Sequence, residues 1–449
     1  MKLFFALLIS KLYLGFNKLI GKGKSDRAGL LAARICPEIL TKIKKPKLVI
    51  MVSGTNGKST ITHLVYDILK LDGKKIGFNT WNANMRAGHI RCLLDSVNIF
   101  NRSTKDIALL ECDEVTSNLT VPEINPQYLI VTNLCRDSIR RNSYPEYVFN
   151  KLNDATNKNT STKLILNADD PISSFIGENS EKVYISMDKF NNEEVYENIS
   201  QDFITCPKCN SIVSYEYRHY RHIGKFKCPS CGLESKKGDF VINNILENSI
   251  VINGIEYRKL SNNLFNAYNE AMVIVLLKEL GYDESYIKEA LEKVEIPKSR
   301  ENLEVQNGIK IYSQMAKGQN GSALSTVLES LSKIDSKKQI IFLLDEDFGS
   351  VDAQETITWL YDSDMELLNK LNLEQIIVAG ARYLDYIVRF KLAGIEESKI
   401  KALEDYNEVY KQVNLDGKSD IYVLYDVDRR PTSREVIETL KKRIMDEVK

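Results

Sequence analysis

Leu48-Val49-Ile50-Met51-Val52-Ser53-Gly54-Thr55-Asn56-Gly57-Lys58-Ser59-Thr60 is the stretch that decides the fold. An apolar run of strand length enters a glycine-rich turn carrying Lys and Ser, and a helical pattern continues over Ser59–Leu71. Gly54 and Gly57 permit a tight turn and bring backbone N–H groups close to phosphate oxygens. The helix opening near Ser59 adds its positive N-terminal end. In such a loop Lys58 neutralises β- and γ-phosphate charge and the Ser59 hydroxyl reaches a magnesium ion. The spacing departs from the commonest phosphate loop, because Val52 stands where a glycine five residues before Gly57 is usual. The buried strand and the Gly-Lys-Ser core occurring together favour a nucleotide site over an ordinary strand–turn–helix corner.

Strands and helices alternate outward from this point. Ile76–Thr80, Ile107–Leu110 ending at Glu111, Tyr128–Thr132 and Lys163–Leu166 read as further strands. This rhythm predicts a mostly parallel sheet with helices on both faces and ligands outside the carboxyl ends of the strands, where the loop, Glu111 and Asn133 all fall. Ala28–Leu40 reads as one helix, and helical periodicity returns over Leu264–Leu280 and Glu284–Val294. Beyond Pro297 a smaller α/β domain is expected, with strands Ile340–Leu344, Gln375–Ala379 and Ile421–Tyr425 and helices Leu384–Leu392 and Ser433–Met445.

The 449 residues suit two or three domains, and 61 basic against 61 acidic side chains give no net charge, which does not favour nucleic acid as a partner. Of eight cysteines, Cys36, Cys92, Cys112 and Cys135 are scattered and read as reduced core residues. None of these four has a histidine nearby in sequence apart from Cys92, three residues after His89, which fits poorly with a built-in thiol nucleophile. The others form Cys206-x2-Cys209 and Cys228-x2-Cys231 with eighteen residues between the pairs, the spacing of a closed four-thiolate zinc site. The surrounding 203–238 is short, polar and basic, too poor in apolar residues to make its own core, so structural zinc is expected to supply its folding energy. His219 and His222, between the pairs, read as exposed loop histidines rather than spare ligands. Free thiols and a nucleotide site suit the cytoplasm.

Met1–Ile20 is apolar but interrupted by Lys2, Lys11 and Lys18, too charged to span a bilayer, and no small-x-small cleavage site follows. Two readings stand: an amphipathic helix docked on the protein body, or one lying on the inner membrane face with lysines toward head groups.

Together these segments resemble the Mur ligase family, the ATP-dependent amide-bond ligases of peptidoglycan synthesis. Gly54-Thr-Asn-Gly-Lys58-Ser59-Thr60 is similar to its ATP loop. Glu111-Cys-Asp-Glu114 follows a strand where the family has a magnesium-binding Glu, and Asn167-Ala-Asp-Asp170-Pro171 resembles a family turn. Asn266-Ala-Tyr-Asn269 resembles the asparagine pair near the adenine, and Ser299-Arg300-Glu301 a segment whose arginine reaches the nucleotide. The resemblance implies a central ATP-binding domain over 46–300 carrying the cysteine insertion, a C-terminal Rossmann-like domain over 301–449, and a segment 1–45 in place of the large N-terminal UDP-binding domain.

The branch with this layout amidates the D-glutamate α-carboxylate of the lipid II stem peptide through an acyl phosphate, with ammonia from a separate GatD-like class I glutaminase. The resemblance implies ATP and Mg2+ as cofactors, Lys58, Glu111 and Asp362 as catalytic residues, and Asp362, in Trp359-Leu-Tyr-Asp362, facing the glutaminase. Two C-terminal segments depart from the branch. Gln314-Met-Ala-Lys317-Gly318 replaces a Lys-Asn-Pro-Ala-Gly stretch and Asp352-Ala-Gln-Glu355 an Ala-Asp-Gly stretch, which bears on the acceptor rather than on ATP. Alternatives are a ligase adding an amino acid, as folylpolyglutamate synthase does, and a nucleotide-gated scaffold docking through the zinc module.

Overall fold

The computed structural model describes residues 1–19, 26–79, 83–136, 144–190, 201–261, 263–296, 301–316, 320–332, 334–344, 357–426 and 429–448. They form two compact units, one of the described residues up to 296 apart from Arg136 and Gln201, and one of the remainder.

The first unit is built on β1 (Leu48–Ser53), which lies between β3 (Ile107–Glu111) and β4 (Tyr128–Val131), parallel to both. With β2 (Ile76–Phe78), β5 (Lys163–Asn167), β6 (Lys182–Met187), β9 (Phe240–Ile245), β10 (Ser249–Ile252) and β11 (Ile255–Arg258) it makes a nine-stranded sheet of order β11-β10-β9-β6-β5-β4-β1-β3-β2. Pairing is parallel from β2 to β9 and antiparallel through β10 and β11. Successive side chains of a strand point to opposite faces. Val49 and Met51 therefore enter one apolar core, and Ile50 and Val52 the other. Burial on both faces is why the central strands read as unbroken apolar runs.

Helix α4 (Lys58–Leu71) covers the second face with Ile61, Leu64, Val65 and Ile68, beside the helix Leu264–Glu279. The latter buries every residue from Asn266 to Leu277, so it is enclosed all round. The other face carries α2 (Arg27–Ile35), α3 (Ile39–Lys42), α5 (Arg86–Ser96), α6 (Ser117–Ile124) and Pro145–Asn157. The single helix expected over Ala28–Leu40 is in fact two. Pro37 disfavours the helical conformation in the residue before it, and Cys36 is extended at φ −135° and ψ 87°. Helix α1 (Lys2–Leu19) docks through Ala6, Leu7 and Ser10. Among the described residues no helix is long and apolar enough to cross a membrane.

Between β6 and β9 the chain makes the antiparallel hairpin β7 (Ser214–Tyr220) and β8 (Ile223–Lys227), which carries the cysteine pairs at its base. Its apolar residues do not stand apart. Phe203, Val213 and Phe226 join the main core of the first unit, with the Phe203 and Phe226 ring centres 4.9 Å apart. The expectation of a module held by metal without core of its own is thus modified, because it borrows core from the sheet domain.

The second unit is a six-stranded sheet of order β12-β13-β17-β14-β15-β16: β12 (Glu301–Gln306), β13 (Ile309–Met315), β14 (Lys338–Leu343), β15 (Leu373–Ala379), β16 (Ile400–Leu403) and β17 (Asp420–Tyr425). All pairs are parallel except the edge pair β12–β13. Its helices include Gly321–Ser332, Tyr383–Leu392 and Arg430–Glu447.

Candidate functional site

The loop after β1 turns at two glycines with positive φ, +118° at Gly54 and +91° at Gly57. A Cβ on Gly54 would lie 2.2 Å from Thr132 Oγ1, and one on Gly57 2.3 Å from Asn269 Oδ1, so both positions need glycine for space as well as for conformation. The strip after β4 braces the loop. Thr55 N donates to Asn133 O at 2.8 Å, Cys135 N donates to Thr55 Oγ1 at 3.1 Å, and Thr132 Oγ1 and Asn133 Nδ2 both donate to Asn56 O.

Helix α4 opens at Lys58, and its first-turn amides lie where an α-helix offers them no carbonyl acceptor. The Lys58 ammonium curls back over the loop, bonding Gly54 O and, at 3.0 Å, Glu114 Oε2. Ser59 Oγ donates to Glu111 Oε2 at 2.8 Å. Hydroxyl and carboxylate oxygens side by side at a strand end are a donor set that suits magnesium. Thr60 sits in the same first helical turn. Asn269 Nδ2 donates to Asn266 Oδ1 at 3.0 Å, both side chains are buried, and Asn269 lies against Gly57.

Two residues that sequence reasoning missed hold Glu111 in place. Asn79 clamps its backbone with two 2.7 Å bonds, one to the N–H and one to the carbonyl, and His89 Nε2 donates to that carbonyl at 2.9 Å. No local signal marks either residue; His89 is one of the buried positions of the mixed-polarity helix α5. Burial pushes the His89 pKa down to about 4, so its imidazole is neutral near pH 7. A lowered pKa gives stability that is present above the ordinary value of 6.5 and is lost as pH falls toward 4, roughly 3 kcal/mol in all. Urea unfolding of His89→Gln should therefore depend less steeply on pH than wild type between 6.5 and 4; equal slopes would refute this. Burial pushes the Cys92 and Cys112 thiols up to about 12, which leaves neither as a thiolate nucleophile.

In the cysteine module all four sulfurs lie within 4.8 Å of one another, with Cys206–Cys231 and Cys209–Cys228 at 3.5 Å. Tetrahedral zinc with 2.3 Å bonds needs sulfurs about 3.8 Å apart, so the set fits. Each pair ends in a left-handed residue, Asn210 at φ 59° and Gly232 at φ 74°, which closes the two knuckles alike.

His219 and His222 are not exposed, contrary to the sequence reading; they are 6% and 5% accessible. The hairpin turns inward and packs on the Asn167-Ala-Asp-Asp170 turn. His219 Nε2 lies 3.2 Å from Met187 O, and His222 Nε2 lies 3.4 Å from Asp170 Oδ1. Gly224 N donates to Asp169 O at 2.8 Å. Burial raises the Asp169 carboxyl to about 6, against a 2.6 Å hydrogen bond from the Tyr268 hydroxyl. Asp170 Oδ2 accepts from Leu134 N at 2.8 Å, next to the Cys135 that braces Thr55. A short polar relay thus links the hairpin to the glycine loop.

In the second unit Asp362 follows the short helix Thr358–Tyr361, and its Oδ2 pairs with Arg136 at 3.1 Å. Arg300, Lys317 and the stretch Asp352–Glu355 lie outside the described residues.

The Mur ligase middle domain matches residues 52–246, and the MurT ligase C-terminal family matches 318–427. The chain belongs to the Mur ligase family. This Mur ligase is an ATP-dependent ligase of the MurT-like kind. It is 28% identical over 417 residues to the lipid II isoglutaminyl synthase (glutamine-hydrolyzing) subunit MurT of Staphylococcus aureus strain COL, covering 92% of this chain and 93% of that protein. The corresponding subunit of Streptococcus pneumoniae strain ATCC BAA-255 / R6 is 25% identical over 419 residues, covering 90% of each. Among solved structures, a pseudomurein peptide ligase type C from Methanothermus fervidus matches with TM-score 0.64 and 18% identity over 90% of this chain and 81% of that one. MurF from Acinetobacter baumannii matches with TM-score 0.64 and 14% identity over 92% and 80%. These two likenesses establish the ligase's fold.

Proposed function

We propose that the chain is the synthetase subunit of a lipid II amidating enzyme. It converts the D-glutamate α-carboxylate of the stem peptide to the amide with ATP and with ammonia from a GatD-like glutaminase. The observation that carries the reading is the 2.8 Å approach of Ser59 to Glu111 beside the Lys58 ammonium, at the carboxyl end of the central strands. The names and full-length cover of the MurT relatives support the acceptor.

In this reading the loop amides and Lys58 hold the ATP phosphates, Asn266 and Asn269 lie toward the adenine, and Arg300 reaches the nucleotide. Ser59 and Glu111 hold Mg2+, which supplies cancellation of phosphate charge when bound. The acceptor carboxylate attacks the γ-phosphorus and ADP leaves, giving an acyl phosphate. Ammonia attacks the acyl carbon, phosphate leaves, and a proton is lost from nitrogen. Such a transfer needs charge cancellation more than acid–base chemistry, which suits a site of one lysine, one metal-holding Ser–Glu pair and backbone dipoles. The buried, protonated Cys92 and Cys112 agree with ammonia being made elsewhere, and Asp362 is assigned to face the partner. The four cysteines hold structural zinc.

The test is ATP turnover with lipid II and either ammonia, glutamine plus the partner, or a panel of amino acids. Ammonia alone should serve, and glutamine only with the partner. Turnover that needs an amino acid would move the chain to the amino-acid-adding ligases.

A further inference from the structure

Helix α1 has an inverted outer face. A helix lying on a soluble protein normally turns its polar residues to water. Here small or apolar residues, Ala6, Leu7 and Ser10, are buried against the body. Phe4, Phe5, Ile9, Leu12, Phe16 and Leu19 are between 40% and 86% exposed. At 100° per residue these six fall on one arc of roughly 140°, opposite the docked side. No charged residue interrupts that arc, and Lys2, Lys11 and Lys18 fall along its two borders. An uninterrupted apolar patch with this outline marks a binding surface rather than scattered surface leucines.

Charge selects the occupant. Residues 1–25 contain five lysines, Lys2, Lys11, Lys18, Lys22 and Lys24, and no Asp or Glu. A second copy would set these lysines against their equivalents. An anionic lipid surface would accept them at the phosphates while the phenylalanines and leucines enter the acyl boundary. Helix α1 is too charged to cross, and its eighteen residues extend about 27 Å. The Lys11 ammonium is bonded to Leu94 O at 2.8 Å, tying the helix side-on to the body and leaving Lys2 and Lys18 exposed at its ends.

We propose that α1 is a monotopic anchor, lying in the plane of an anionic bilayer with the Phe5–Leu12–Phe16 ridge buried in it. This does not rest on the amidation reading and stands whatever the acceptor is. Flotation of the full chain with phosphatidylglycerol–phosphatidylcholine vesicles tests it, beside pure phosphatidylcholine vesicles. The wild type should float with the anionic vesicles. The variant Phe5→Ser/Leu12→Ser/Phe16→Ser should bind them about tenfold more weakly or worse, and Lys2→Gln/Lys18→Gln should lose the preference for anionic lipid. Near-UV circular dichroism and ATP turnover in solution should be unchanged in both, separating lost binding from lost folding. Failure of the wild type to float, undiminished flotation of the triple serine variant, or equal binding to neutral vesicles would overturn the proposal. So would a dimer by light scattering that the serine variant abolishes while the wild type ignores vesicles.

Discussion

Lys58→Ala should reduce ATP turnover by on the order of a thousandfold or more, because in the proposed mechanism the ammonium is the principal protein charge set against the transferring phosphate. The same substitution should also destabilise the fold. Lys58 and Glu114 are 13% and 3% exposed and pair at 3.0 Å, so removing the lysine leaves a buried carboxylate deprived of this cation. Breaking such a pair from one side costs about 3 kcal/mol. The two effects separate in Lys58→Ala/Glu114→Gln. The second change removes the buried charge, so urea unfolding should return most of the way to wild type while turnover stays lost. Recovery of turnover in the double variant would show that Lys58 acts through stability and not on phosphate, and would end the reading of the loop as a catalytic cradle.

Removing metal from the cysteine module should have the other large effect. The purified protein should carry about one zinc for its four thiolates. Structural zinc of this type contributes on the order of 10 kcal/mol to folding. Cys206→Ser, or a strong chelator, should therefore open the knuckles and expose Phe203 and Phe226, which are shared with the main core. The loss should not stop at the module. The hairpin places Gly224 on Asp169 and His222 beside Asp170, and Asp170 fixes Leu134 next to the bonds that brace Thr55. ATP affinity should fall along with solubility in Cys206→Ser. A metal-free protein with wild-type stability removes the zinc assignment, and a destabilised variant with unchanged ATP affinity removes the relay.

Short-range chemistry made part of this site readable. Gly54, Gly57, Lys58 and Ser59 lie within six residues, and the conformations they need follow from residue type alone. The strand ending at Glu111 was legible because both faces are buried, which leaves an unbroken apolar run. Other elements carried signals that the reading passed over. Asn253-Gly254 and Asn307-Gly308 both have positive φ, from 47° to 80°, and join the antiparallel pairs β10–β11 and β12–β13. Asn-Gly between such runs is a hairpin signal in its own right. The histidines of the module were misplaced for another reason. A polar, basic hairpin looks solvated in sequence, and nothing in it tells that carboxylates from a distant turn will receive it.

Residue order alone specifies the glycine loop, the alternation that makes a parallel sheet, and the four-cysteine spacing, because each rests on backbone freedom, strand period or ligand count within a few residues. Long-range packing brings Ser59 to Glu111, clamps Glu111 with Asn79 and His89, and buries two histidines of the cysteine-bearing hairpin against Asp169 and Asp170. Those contacts join residues tens of positions apart. They exist only where parallel strands return to the same end of one sheet and bring their loops within hydrogen-bond reach.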